Sequence, residues 1–156
     1  MTPETILIAL LGIYPYMSGN NRQCLIDNQP RIVQQLQEVT APYEPGAPVP
    51  PLELTAAVAF AETHLGCDAG EGGGWGAPID RNHRNVAGTH LSAVRSLSRG
   101  YRACRTWDGA VMWFRTGVCN ADRSRDPVIR ERGSHYIRAI RHLIERMGRY
   151  IDRTAD

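Results

Sequence analysis

Apolar residues recur at helical spacing in several stretches of the chain. In the clearest stretch, residues 52–66, they follow the spacing i, i+3, i+4, i+7 and i+11: Leu54, Ala57, Val58, Ala61 and Leu65. This spacing predicts an amphipathic α-helix. Gly66 directly follows the last apolar position, and glycine is common just after helix C-termini, so we predict that the helix ends there.

Two later stretches have the same period. We predict one helix over residues 107–118, with Thr106 as its N-cap, and a last helix that begins after Ser134. No long stretch alternates between polar and apolar residues, although residues 91–102 have room for a short β-hairpin. The pattern therefore predicts a mainly α-helical domain of the α+β type, with a small irregular or β lobe.

The N-terminal part is predicted to cover the core. It contains two short helices, residues 3–17 and 29–40, joined by a polar turn at residues 18–21. A proline-rich strap follows, and its fixed φ angles favour an extended chain. Because 156 residues suit one domain, we assign residues 1–51 to the same domain as residues 52–156.

Composition excludes several classes of function. All 18 basic residues are arginine, and the net charge is only +2, which gives no argument for nucleic-acid binding. The glycine-rich segment 67–76 lacks the lysine of a phosphate-binding loop, and His64 and His83 do not have metal-site spacing. We therefore expect no cofactor, metal or nucleic-acid partner. Arginine suits carboxylates and phosphates, so acidic cell-wall polymers are compatible partners.

The four cysteines are widely spaced and form no CxxC pair of the zinc or thioredoxin type. Two disulfides in an oxidising compartment are the favoured interpretation, and four buried thiols are the alternative. Cys104 and Cys119 flank a predicted helix whose ends are roughly 18 Å apart, whereas a disulfide needs a Cα separation under about 7 Å. We therefore expect Cys24 and Cys67 each to pair with one of these two residues.

Residues 6–13 form the first apolar run. Glu4 precedes them and no basic residue does, so we expect no secretory signal, and the run is too short to span a membrane. We expect a periplasmic or extracellular protein without stable membrane insertion. It is either a processed form or is delivered by phage lysis, a virion or a secretion machine.

Glu62 is the strongest candidate for a catalytic residue. At 100° per residue it lies beside the apolar face of its predicted helix, one turn before Gly66 and the glycine-rich segment. Burial beside apolar side chains favours the protonated form of a carboxyl group, and a general acid must be protonated near neutral pH. The alternative is an ordinary glutamate at the boundary of an amphipathic helix.

Four motifs, in this order, resemble the lysozyme-like superfamily of peptidoglycan-cleaving enzymes, and most closely the glucosaminidase domains of glycoside hydrolase family 73. They are an Ala-x-x-Glu-[Ser/Thr]-x-x-Gly run, an Asn-[Leu/Ile]-Phe-Gly segment, an aromatic-Arg stretch leading into a helix, and a tyrosine on the last helix. These match residues 59–66, 85–88 and 101–110 and Tyr136. The resemblance covers about residues 52–151. Lytic transglycosylases share the same skeleton.

The resemblance implies that the protein cleaves β-1,4 bonds between N-acetylated amino sugars of peptidoglycan glycan strands, with Glu62 as general acid and base at the floor of a cleft. Tyr136 matches a tyrosine near the catalytic glutamate of both related groups, and the alternative is a half-buried core tyrosine. Thr63, Asn85 and Gly88 occupy motif positions associated with substrate binding. Trp75, in the glycine-rich segment, is either a sugar-stacking platform or a loop anchor.

A hydrolase of this kind commonly uses a second carboxylate near the scissile bond. The candidates in the glycine-rich segment are Asp68, Glu71 and Asp80, and each has the alternative of a solvated loop charge. Without one, the substrate's own acetamido oxygen or 6-hydroxyl group acts as the nucleophile, as the resemblance to transglycosylases permits.

Several positions depart from the family patterns. Ala87 replaces a phenylalanine, Cys104 replaces an aromatic residue, and the Gly-Leu-Met-Gln motif of the transglycosylases is missing. These departures leave a second hypothesis open. In it, the chain is a catalytically inactive binding or structural module of a phage particle or of a secretion or injection machine.

Overall fold

The computed structural model describes residues 1–14, 17–68, 75 and 90–155. These ranges contain no β-strand, one 3₁₀ turn (Ala121–Arg123) and seven α-helices: α1 Pro3–Ile13, α2 Gly19–Asp27, α3 Gln29–Glu38, α4 Leu52–Thr63, α5 His90–Cys104, α6 Trp107–Thr116 and α7 Pro127–Thr154. The mainly α-helical class is therefore confirmed. The described residues do not show the expected β lobe, and residues 91–102, predicted as a possible hairpin, lie within α5.

Helix α4 is buried along most of its length. Every residue from Leu54 to Phe60 is buried, so the helix is enclosed on all sides and not on a single face. Ala61, which the periodicity assigned to the apolar face, is exposed. The helix contacts α5 and α7, and only its first and last turns reach the surface.

The N-terminal helices differ from the prediction. Helix α1 ends at Ile13, and residues 18–21 do not form a turn, because Ser18 caps a separate helix, α2, by accepting a hydrogen bond from the Asn21 amide (3.4 Å). Arginines satisfy two of the last carbonyl groups of α1. Arg22 donates to the Leu11 carbonyl and Arg146 of α7 donates to the Ile13 carbonyl, each at 2.8 Å. Helix α1 also packs against α3, α4 and α7, so it shares their core.

Helix α7 begins earlier than its apolar period indicates. Asp126 is its N-cap and accepts hydrogen bonds from the backbone amides of Val128 (2.9 Å) and Ile129 (3.4 Å). Pro127 follows at the first helical position, where its missing N–H costs no hydrogen bond. The first turns are mostly exposed, so they add little to the apolar period. The prediction of a start after Ser134 was wrong for this reason.

The structure confirms two disulfides but not the expected pairing. Cys24 pairs with Cys67, and Cys104 pairs with Cys119 across a Cα separation of 5.2 Å. The length of α6 does not separate the second pair, because the chain reverses at Gly117, which has a left-handed φ of 76°. Residues 117–119 then run back along the helix, and the Cys119 carbonyl oxygen lies 3.4 Å from where a Cβ on Gly109 would be.

The two disulfides are typical of a protein from an oxidising compartment. None of the helices described above combines the length and apolarity needed to cross a lipid bilayer.

Candidate functional site

Glu62 lies in the last turn of α4, where the helix leaves the core. Its side chain is only 15% exposed. The helix stops just beyond it because His64 and Leu65 both adopt left-handed φ angles, 49° and 58°. Such angles are uncommon for residues other than glycine, and they end the helix sharply. The carboxylate therefore sits on a well-supported helix end that is partly withdrawn from water.

Arg115 is the cation nearest to this carboxylate among the described residues. Its Nη1 atom lies 3.6 Å from Oε2 of Glu62, which is an ion pair too long to be a good hydrogen bond. The arginine side chain is 52% exposed. It lies in the last turn of α6, just before the reversal at Gly117.

Tyr136 completes a cluster of three side chains from three helices. It is 8% exposed, and its ring lies under the Arg115 guanidinium group at 5.6 Å from the ring centroid. Its buried hydroxyl makes no hydrogen bond of good geometry within the described part of the chain. Burial raises the pKa of Tyr136, and the charge and proximity of Glu62 raise it further, whereas Arg115 lowers it. The phenol is therefore a neutral hydrogen-bond donor close to the Glu62 carboxylate.

A cavity of about 370 Å³ opens beside this cluster. Its walls include Arg115 and Tyr136, together with three further polar residues of α7: Glu131, Arg132 and His135. A space of this size lies in the usual range for small ligands. Glu131 adds a carboxylate to the cavity, and the imidazole of His135 adds a further group that can donate or accept a proton.

The predicted substrate-binding residues within the described ranges are mostly structural. Thr63 is buried, and its hydroxyl donates to the Ala59 carbonyl (3.2 Å) and accepts from the Gly66 amide (3.0 Å). Trp75 is fully buried, with its ring 5.6 Å from that of His90, so the indole presents no ring face to solvent.

Asp68 is the one proposed second carboxylate that the structure describes. Its Oδ1 atom lies 2.8 Å from His64 Nδ1 and accepts a hydrogen bond from Asn21 at 2.8 Å. The carboxylate is therefore engaged by two side chains and is not a freely solvated loop charge. The remaining predicted site residues lie outside the described residues: Glu71, Asp80, Asn85 and Gly88.

Sequence reasoning missed Arg115, Glu131 and His135 as site residues. Arg115 was not predicted to lie beside Glu62, because the two residues are 53 positions apart in the printed sequence. Glu131 was missed because α7 was predicted to begin after it. An earlier helix start, read from the Asp126-Pro127 capping signal, would have put Glu131 and Tyr136 on one helix.

No group of three or more potential metal-ligating side chains occurs among the residues that the structure describes. Comparisons with protein-family models, curated proteins and solved structures found no match to this chain. The features on which a functional argument can rest are therefore a mainly α-helical, disulfide-linked fold and the cluster of Glu62, Arg115 and Tyr136.

Proposed function

We propose that this protein cleaves the glycan strands of peptidoglycan at a β-1,4 bond between N-acetylated amino sugars, with Glu62 as general acid and base. The main support is the position of Glu62, which is 15% exposed on a helix end and contacts two side chains that line a 370 Å³ cavity. The four family-like motifs add a second, independent argument. The two disulfides suit a periplasmic or extracellular site of action.

In this proposal, Glu62 donates its proton to the glycosidic oxygen as the bond from that oxygen to C1 breaks. Positive charge develops on the sugar ring, and a nucleophile must reach C1. If this is the substrate's own 6-hydroxyl, its oxygen bonds to C1 and its proton passes to the Glu62 carboxylate, giving an anhydro product. If it is the acetamido oxygen, water later opens the cyclic intermediate and Glu62 removes the proton from that water.

Tyr136 and Arg115, the two side chains that lie beside Glu62, have distinct roles in this proposal. The neutral phenol of Tyr136 can donate a hydrogen bond to the Glu62 carboxylate once that group has lost its proton. Arg115 is exposed and only loosely paired, so a bound glycan can displace it from Glu62.

The test is mass spectrometry of the fragments released from purified sacculi by the wild-type protein and by Glu62→Gln, without reducing agent. We expect release by the wild type and loss of release in the variant. Anhydro-muramyl ends would identify a transglycosylase, reducing-end glucosamine a glucosaminidase, and reducing-end muramic acid a muramidase. No release by a wild-type protein with intact helical circular dichroism would contradict the proposal.

One observation favours the second candidate, a binding or structural module that has lost activity. A carboxylate paired with arginine is stabilised in its ionised form, whereas a general acid must be protonated. If Arg115 stays on Glu62 in the bound state, the site can hold a glycan strand without cutting it. Sedimentation of the protein with insoluble sacculi, in the absence of released fragments, would support this candidate.

A further inference from the structure

A second cavity of about 370 Å³ adjoins the end of α4. Its walls come from four helices or their ends. The α1–α2 junction contributes Tyr14, Met17 and Ser18, α2 contributes Asn21, α4 contributes Phe60, Ala61 and His64, and α7 contributes Ala139 and Leu143. Ala61 is the chain neighbour of Glu62, and Ala139 lies three residues after Tyr136. The cavity therefore adjoins the candidate catalytic cluster.

The N-terminal part of the chain, residues 1–51, lies outside the region of family resemblance but builds one wall of this cavity. That wall is firmly attached. The Cys24–Cys67 disulfide joins α2 to the segment after α4, and Asn21 hydrogen-bonds to Asp68 across the same boundary. The N-terminal helices thus have a defined position next to Glu62, beyond their role in covering the core.

The cavity is lined by two kinds of side chain, apolar and polar. Tyr14 and Phe60 supply apolar ring surface, with centroids 5.2 Å apart. Asn21 and His64 supply polar groups. Nδ1 of His64 lies 2.8 Å from Oδ1 of Asp68 and 3.2 Å from the amide nitrogen of Asn21, so Nε2 is the ring nitrogen that remains for a ligand. Asn21 uses its amide nitrogen for its contacts within the described residues, and its carbonyl oxygen is an acceptor.

This combination suits an amphipathic ligand. An N-acetylated amino sugar has an apolar ring face and an acetyl methyl group for the aromatic wall, and hydroxyl and acetamido groups for hydrogen bonds with the Asn21 carbonyl oxygen and the His64 ring nitrogen. Among the described residues, the lining contains no arginine, although Arg146 stacks on the Tyr14 ring at 5.0 Å from its centroid.

We propose that the N-terminal helices complete a second saccharide site next to the Glu62 cluster, in which the cavity between Tyr14, Asn21 and His64 holds an N-acetylated amino sugar. The proposal rests on the proposed function for the identity of the glycan. Successive turns of α7 line both cavities, so a strand bound in both would run along this helix.

The test fills the cavity with a larger side chain on α7, at a position whose native side chain makes no polar contact. Ala139 is an exposed helical residue, so Ala139→Trp fills the cavity without altering the buried core. Ala103→Trp is the matched control, because Ala103 is also an exposed helical alanine and lines neither cavity. Ala139→Gln is a smaller blocking variant in case the tryptophan impairs folding. All are made in the Glu62→Gln background to prevent turnover.

Affinity for the β-1,4-linked N-acetylglucosamine trisaccharide is measured by calorimetry. We expect Ala139→Trp to weaken binding by about tenfold or more, equivalent to about 1.4 kcal/mol, and Ala103→Trp to leave it unchanged. Equal affinity in both variants, or no binding of the trisaccharide, would overturn the saccharide site. Release of fragments by the wild type decides the proposed function separately. Binding that depends on Ala139 without such release would leave the saccharide site standing and the enzymatic proposal contradicted.

Discussion

Arg115 and Glu62 are paired between the ends of α6 and α4, with Nη1 of the arginine 3.6 Å from Oε2 of the glutamate. The two side chains differ in their access to water, because Arg115 is 52% exposed and Glu62 is 15% exposed. The long separation and the exposure of the arginine show that the pair is only loosely held. The ion pair therefore contributes little to holding α6 against α4.

This pairing predicts the effect of Arg115→Gln on stability. Because the arginine side chain is 52% exposed and the ion pair is long, its removal should change the free energy of unfolding by less than about 1 kcal/mol. Denaturant unfolding of the variant measures this change. Arg132→Gln is the control, because Arg132 lines the same cavity without an ion pair to Glu62 among the described residues. A loss of several kcal/mol in Arg115→Gln alone would contradict this prediction.

Tyr136→Phe should alter stability at alkaline pH. The folded protein holds the Tyr136 proton to higher pH than the unfolded chain, where the pKa is about 10, so the free energy of unfolding falls as pH rises above that value. One such proton gives a slope of about 1.4 kcal/mol per pH unit. Denaturant unfolding between pH 9 and 11, a range that brackets the reference pKa, measures this effect. In the variant, the free energy of unfolding should fall less steeply with pH.

Near neutral pH the same substitution should change the free energy of unfolding by less than about 1 kcal/mol. The buried hydroxyl has no well-formed hydrogen bond to lose among the described residues. A large loss of stability at neutral pH would show that the hydroxyl has a structural partner, and an unchanged alkaline slope would show that the phenol ionises as freely in the folded state as in the unfolded one.

The two disulfides should contribute unequally to stability. The bridge between Cys24 and Cys67 spans 43 residues, and the bridge between Cys104 and Cys119 spans 15. Loop-closure entropy then gives about 4 kcal/mol for the first and about 3 kcal/mol for the second. Paired replacement by alanine, followed by denaturant unfolding, measures each contribution. Only the first replacement should also weaken trisaccharide binding, because it releases the α2 wall of the second cavity.

Two glycines of α7 should respond in opposite directions to alanine. A Cβ at Gly133 would lie 2.3 Å from the Cβ of Ala121, so Gly133→Ala forces α7 away from the 3₁₀ turn and should cost about 1–3 kcal/mol. A Cβ at Gly148 meets only the end of Met1 at 3.8 Å, so Gly148→Ala should stabilise the helix by up to about 1 kcal/mol. Thermal unfolding of both variants checks the difference in sign. Stabilisation by both substitutions would show that the close contact at Gly133 relaxes without cost, and destabilisation by both would contradict the prediction for Gly148.

Local signals predicted several elements correctly. The helix that contains Glu62 was predicted from its period, and it runs from Leu52 to Thr63. The Thr106 N-cap is also confirmed, since its side chain accepts a hydrogen bond from the Gly109 amide at 3.0 Å. Both depend on interactions within a few residues. The start of α7 was missed although its Asp126-Pro127 capping signal is equally local. The first turns of this helix are mostly exposed, so the apolar period begins only after them.

The sequence by itself determined that this protein is mainly helical and that its cysteines suit disulfides, because periodicity and composition are properties of neighbouring residues. The tertiary structure decided which cysteines pair, since the reversal at Gly117 brings Cys119 back to Cys104. It also placed Arg115 and Tyr136 beside Glu62, and buried Trp75. These outcomes depend on how helices distant in sequence pack together, and no local pattern encodes the distance between them.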